Sequence, residues 1–304
     1  MSRNNEERIG IKNADADLPL VPEVIQEEEN LPNEEEQQEP KPNNPPLSFA
    51  APTEIVDLPS GGRYYDSDHP LFGVDSLEIR FMTAKDEDIL TSKTLLKKGL
   101  AIDRLLQNIL IDRRISPNDL LLGDKNALVI AARITGFGED YQTRVMCPVC
   151  SESSDSSFDL TECAFYPGAG EEDLTEMGVQ ITADSTFIVE LPKMGYNVEF
   201  KLLDGNDERK FTHDTERRKK RKLPENLSTT QFKSFIVAVE GHEDKSMISN
   251  LVDAMPAQDA HYLRKIYELV SPNVEMKLPF ECSNCDNFQE DLEVPLTADF
   301  FWPR

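Results

Sequence analysis

Two short stretches hold the residues best suited to chemistry, Met146-Cys-Pro-Val-Cys150 and Glu281-Cys-Ser-Asn-Cys285. A Cys-x-x-Cys turn lets two thiolates grip one metal ion while backbone N–H groups point at the sulfurs. One turn supplies two ligands, and a structural zinc ion takes four, tetrahedrally, at about 2.3 Å. Cys147, Cys150, Cys282 and Cys285 are therefore the candidate ligands of one structural Zn2+. Four thiolates leave no open position for a reacting water, so such a site holds a fold together and does not catalyse. The competing readings are two local or reactive disulfides, or a ribbon that has lost its metal. A thioredoxin-like redox pair needs a βαβ setting that neither stretch has. Cys163, in TECAFYP, reads as a buried inert thiol, and as a substitute ligand only if the pairing differs.

Little else converges on chemistry. His69, His213, His242 and His261 stand at no metal-ligand spacing from one another and read as surface or packing residues. No phosphate loop, Gly-x-Ser-x-Gly or His-Glu-x-x-His occurs. Gly136-Phe-Gly138 is too short for a dinucleotide fingerprint. The carboxylates of Lys85-Asp-Glu-Asp88 suit the first turn of a helix, where the dipole favours anions. The expectation is a protein without enzymatic activity. The dense basic run Arg217–Lys222 lacks interleaved aromatics, and the chain carries a net charge of -25. That field repels nucleic acid, so the run reads as a solvated face or a dock for an acidic partner.

The cysteine pairs must be carried by hairpins. YQTRVM (Tyr141–Met146) and SSFDLTE read as strands around the first pair, and NVEMKLPFE and FQEDLEVPL as strands around the second. The result is a split zinc ribbon. The long chain between its knuckles is tolerable because loop-closure entropy grows only slowly with length. Before the first knuckle, VDSLEIRFM reads as a strand and residues 83–136 as three short helices. Thr83 opens the first of them. Ile102, Leu105, Leu106, Ile109 and Leu110 form one apolar stripe in the second. Asp124 caps the third and Gly136 ends it. Between the knuckles, STFIVELP and YNVEFKLLD read as paired strands. Phe232, Phe235, Ile236 and Val239 read as an amphipathic helix. Two more helices follow, one marked by Met247, Ile248, Leu251 and Val252 and one with Leu263, Ile266, Leu269 and Val270 inward.

Residues 1–50 hold 12 Asp/Glu, 4 Lys/Arg and 7 prolines, too little apolar matter to offset ordering entropy. The fold class expected is α+β: a helical body, a four-cysteine pair of β-hairpins and a disordered acidic arm. The expected boundaries are 1–51 for the arm, 52–163 for the body and first knuckle, 164–227 for an inserted β-rich and basic segment, and 228–304 for the second knuckle and aromatic tail. No apolar run approaches the roughly 20 residues of a membrane span, and MSRNNEERIG lacks the apolar core of a secretory signal. Phe300, Phe301 and Trp302 either fold back on the ribbon or anchor in a neighbouring subunit, where aromatics contribute much of the binding energy.

Several stretches combine into a resemblance: LPSGGRYY, EIRFMTAKDEDIL, GLAIDRLLQNIL, ISPNDLLLGDKNALVIAARITGFGEDY with CPVC, and FECSNCDNFQEDLEVPLTADFFWP. Met82–Leu90 and Phe300–Pro303 are the most telling parts. Over about residues 55–163 and 228–304 the chain resembles the baseplate hub subunit family of T-even-like contractile-tailed bacteriophages. The resemblance implies a non-enzymatic part in building the central hub of the tail baseplate, other hub proteins as partners, and a zinc-ribbon-like module. It places the chain in the virion, with assembly in the host cytoplasm. An assembly chaperone absent from the finished particle, and a zinc-ribbon nucleic-acid-binding protein, are the rival readings. The arm and residues 164–227 lie outside the resemblance.

Overall fold

The computed structural model describes residues 50–222, 226–294 and 300–301. The expected acidic arm lies outside them except for its last two positions, as does Trp302. The described chain opens with β1 (Thr53–Asp57), which pairs antiparallel with β2 (Ser76–Arg80). Between them LPSGGRYY turns tightly. Gly62 takes φ +70° there, and a Cβ on it would lie 2.4 Å from the Val74 backbone nitrogen, so only glycine fits.

Four helices follow rather than three: α1 (Ala84–Thr91), α2 (Lys93–Lys97), α3 (Ala101–Ile109) and α4 (Leu122–Phe137). Extended backbone at Ser92 breaks the first expected helix in two. Of the expected stripe, Leu105, Leu106 and Ile109 on α3 and Leu110 just past its end are fully buried, and Ile102 is half-buried. The ends of α4 differ from expectation. It starts at Leu122, so Asp124 sits inside the first turn. Its carboxylate is engaged elsewhere: it accepts the Ser60 N–H at 2.9 Å, the Ser60 hydroxyl at 2.7 Å and the Tyr65 hydroxyl at 2.7 Å. Gly136 lies within α4, where a Cβ would come 2.7 Å from the Met82 sulfur, and Gly138, at φ +85°, ends the helix. Glycine at 136 lets Met82 pack close against α4, and at 138 the positive φ calls for glycine at the stop.

A hairpin of β3 (Asp140–Met146) and β4 (Ser153–Asp159) comes next, then a 3-10 turn at Leu160–Glu162. The middle of the chain runs β5 (Ala164–Tyr166), α5 (Glu171–Glu176), β6 (Gln180–Ile181), β7 (Phe187–Glu190), β8 (Asn197–Phe200) and α6 (Gly205–Lys220). It continues with α7 (Leu227–Phe235), β9 (Ile236–Val239), α8 (Lys245–Ala254), α9 (Ala257–Val270), β10 (Asn273–Glu275), β11 (Lys277–Glu281) and β12 (Phe288–Glu293). The helix expected over Phe232–Val239 ends at Phe235. β-Branched Ile236 and Val239 instead lie in β9, which completes an antiparallel sheet of order β6-β7-β8-β9. The strand expected over Asn273–Glu281 divides at Met276. β10 pairs with β5 and β11 with β12. Residues 164–227 are thus tied by sheet pairing to the flank that follows, and by an isolated bridge between Leu121 and Asp204 to the one that precedes. Met247 on α8 and Leu269 on α9, expected on the inward faces, prove exposed.

The architecture is α+β, with small antiparallel sheets around helices. Its core joins Leu105, Leu106, Ile109, Leu110 and Leu128 to the aromatic stack of Phe187, Phe200, Phe235 and Tyr267. Buried polar groups brace the connections. Asp86 closes a capping box with Thr83, accepting its N–H at 2.8 Å, and takes both guanidinium nitrogens of Arg80 at 2.7 and 2.9 Å. Asp259 accepts the N–H groups of Lys193 and Met194, fixing the β7–β8 turn onto α9. Each pair satisfies groups that would otherwise cost about 1–3 kcal/mol to bury unbonded.

Candidate metal centre

Each cysteine pair sits at the end of a hairpin, and the two ends are built alike. In the first, the Cys147 N–H donates to the Glu152 carbonyl at 2.8 Å and the Ser151 N–H to the Cys147 carbonyl at 2.8 Å. In the second, the Cys282 N–H donates to the Asn287 carbonyl at 2.9 Å and the Asp286 N–H to the Cys282 carbonyl at 3.0 Å. The residue after each second cysteine takes a left-handed backbone, Ser151 at φ 59° and Asp286 at φ 52°. Short polar side chains tolerate that region better than bulky ones. Spacing alone identified the cysteines. The Ser and Asp after them are the signal that would have identified the knuckle geometry as well.

The two knuckles meet. The four sulfurs of Cys147, Cys150, Cys282 and Cys285 all lie within 4.8 Å of one another. Each knuckle's first cysteine faces the other's second. The Sγ atoms of Cys147 and Cys285 are 3.7 Å apart, as are those of Cys150 and Cys282. Sulfurs held about 2.3 Å from a tetrahedral ion stand about 3.8 Å apart. None of the four is disulfide-bonded. The donor set, its spacing and its pairing across two hairpins fit one metal ion.

The electrostatics agree. The backbone N–H of Cys150, with that of Val149, lowers the Cys147 thiol against its desolvation. Cys150 falls to about 6, led by the Glu152 N–H and then by the Asn284 amide, whose Nδ2 lies 3.7 Å from its sulfur. Cys285 moves the other way, to about 12. The Asn287 N–H pulls it down, but desolvation and the sulfurs of Cys150, Cys282 and Cys147 outweigh that. Thiols this close cannot all ionise unless a cation joins them.

Cys163 is not among the four, and burial beside Asp159 and Glu162 raises its thiol to about 11. The thiol is half-buried rather than buried as expected, and its raised value suits the inertness. The basic run closes α6. Arg217 and Arg218 pair with Asp214 at 3.0 and 3.1 Å, and Lys220 with Glu216 at 3.5 Å, so its own helix answers part of the charge. The run also lies at the helix C-terminus, where cations are favoured.

Sequence reasoning missed Arg133. It is 1% exposed and gives its donors to three backbone carbonyls: Phe300 at 2.8 Å, Gly138 at 2.5 Å and Asp140 at 2.8 Å. It thereby joins α4, the start of β3 and the chain's end. Phe300 packs edge-on to Tyr141 with ring centroids 5.0 Å apart, and both Phe300 and Phe301 are buried. Of the two readings of the aromatic tail, the fold-back holds for these residues. No sequence pattern marks an arginine whose partners are all backbone atoms.

No helix among the described residues is long and apolar enough to cross a membrane. The model of one protein family, T4 bacteriophage base plate protein, matches residues 51–302. The chain belongs to that family. The match spans residues 164–227, which the resemblance seen in sequence leaves out. Membership in a base plate protein family places the chain among the proteins of the phage tail baseplate, with other baseplate proteins as its partners. No curated protein and no solved structure matches the chain.

Proposed function

We propose that this base plate protein is a structural and assembly component of the central hub of the tail baseplate, working through protein contacts, with one zinc ion bound by Cys147, Cys150, Cys282 and Cys285. The family match over residues 51–302 carries the baseplate part of this reading. The hub assignment rests on the motifs LPSGGRYY, Met82–Leu90 and Phe300–Pro303. Zinc is favoured over other ions by the donor set, because four thiolates at tetrahedral spacing are its usual structural environment. Bound there, zinc supplies the charge that lets four neighbouring thiols ionise. The chain's residues do the rest: backbone N–H groups orient the sulfurs, and the hairpins hold them. The closed set favours a structural role over catalysis, and the chain assembles in the host cytoplasm before residing in the virion.

Mass spectrometry of gradient-purified particles tests the role. Stoichiometric peptides from this chain are expected beside known tail proteins. Their absence from particles, with abundance in infected cells, would replace the structural role by that of an assembly chaperone. Elemental analysis of the purified chain should find one zinc per molecule. Metal-free protein with four titratable free thiols would remove zinc from the proposal.

A further inference from the structure

The end of the four-cysteine module combines two kinds of surface. Met146, Val149 and Phe288 are 63%, 68% and 59% exposed. Met146 lies on the last rung before the first knuckle, opposite Ser153, and Phe288 on the first rung after the second, opposite Glu281. Val149 lies between Cys147 and Cys150. All three therefore flank the sulfurs, which lie within 4.8 Å of one another. Methionine and aromatics are the side chains enriched where proteins meet, and they are costly to leave in water.

Negative charge prevails along the two hairpins that carry them. Residues 139–162 and 273–294 carry twelve carboxylates and two cations. Both cations are already paired: Arg144 with Asp155 at 3.1 Å and Lys277 with Glu275 at 3.1 Å. Glu152, Glu281, Asp286, Glu290 and Asp291 are exposed. A tetrathiolate around a dication adds two more negative charges. Phosphate is repelled by this charge, because binding to nucleic acid rests on Lys and Arg that neutralise it. A protein surface with Lys and Arg around an apolar recess is attracted instead, because complementary charge steers the encounter while buried apolar anchors hold the complex.

We propose that this tip is a docking surface for a basic protein surface on another baseplate component, with Met146, Val149 and Phe288 as its anchors and the carboxylates as its rim. The proposal rests on the baseplate reading only for the partner's identity.

The test is photo-crosslinking in infected cells, with a benzophenone amino acid placed in the full chain at Val149 and, as a control, at Ile55, which is 71% exposed on β1. Crosslinks from 149 and not from 55 should join one other baseplate protein through a Lys/Arg-rich peptide. Reversing charge with Glu290→Lys and Asp291→Lys should cut the yield at least about tenfold, with metal content and melting temperature unchanged. Should that variant misfold, the purified native complex must weaken as salt rises. Crosslinks to nucleic acid, to a second copy of this chain or to an acidic peptide would overturn the proposal. So would no crosslink at all, or a yield and affinity indifferent to both charge and salt. The two readings fail separately. A chain absent from finished particles can still crosslink a baseplate protein during assembly. A chain present in particles with no crosslink from 149 keeps its structural role and loses this surface.

Discussion

The helical body and the four-cysteine module of the same chain are held together by different physics. In the body, α3 and α4 bury one side against a continuous apolar core, and buried carboxylates with several donors each lock the turns. In the module, β3 and β11 each turn some residues inward, Tyr141 and Val145 on one and Leu278 and Phe280 on the other. Their partners β4 and β12 are largely exposed, and Phe158 is the one fully buried residue of the two. A core of that size is marginal alone, which is the circumstance in which metals and disulfides are used as staples. The body is stabilised by area removed from water. On the proposed reading the module is stabilised by four bonds to one ion.

If that contrast holds, removing the staple should divide the molecule. In Cys282→Ser with Cys285→Ser, or after chelation, metal is lost and amide-exchange protection should vanish over residues 140–159 and 277–293 while persisting over 101–137. Structural zinc binding is worth on the order of 10 kcal/mol in small modules, so this is the largest effect expected. A single transition that takes α3 and α4 with it would erase the distinction.

Arg133 is the joint between the two regions, and its loss should cost next most. Arg133→Ala leaves the carbonyls of Gly138, Asp140 and Phe300 without their donor in a buried place. About 3–5 kcal/mol of stability should go, read from denaturant midpoints, because both a buried network and its packing are lost. A loss below about 1 kcal/mol would mean that module and body are coupled elsewhere.

The body's own polar locks should respond to acid in a defined window. Burial opposes the charge on Asp86, but Arg80, Thr83 and Asn108 outweigh it and hold the carboxyl at about 2 against an ordinary 3.8. A folded value below the unfolded one means the contribution is present above about pH 3.8 and is lost as pH falls toward 2. Asp86→Asn should cost about 2 kcal/mol at neutral pH and flatten this part of the acid-unfolding profile. An unchanged profile would show that Asp86 is not a lock.

The smallest effect separates the knuckles themselves. Among the described residues, only Cys150 receives a side-chain amide, from Asn284. Asn284→Ala should weaken metal binding by about tenfold and raise the pH at which metal is released, while the fold stays intact. Competition with a chromophoric chelator measures both.

Much of this molecule is legible in one dimension. The two cysteine pairs are legible as identical spacings between strand-like runs, and the stripe of Leu105, Leu106, Ile109 and Leu110 repeats at the period of a helix. The stripe survives because short-range geometry dictates it, whereas the meeting of the four sulfurs is the work of the tertiary fold. What one dimension lacked was the identity of distant partners. Asp124 looked like a cap because its neighbours in sequence allowed it, yet Ser60 and Tyr65, some 60 residues earlier, claim its carboxylate. Ile236 and Val239 fit a helical face, yet β8 offered them a strand edge, and pairing outweighed periodicity. Arg133, bound to three carbonyls, carried no mark in the sequence at all. Composition and spacing identify groups that act on their near neighbours. Only the folded chain decides which buried polar group finds which partner, because that choice is made by satisfying every donor and acceptor that leaves water at once.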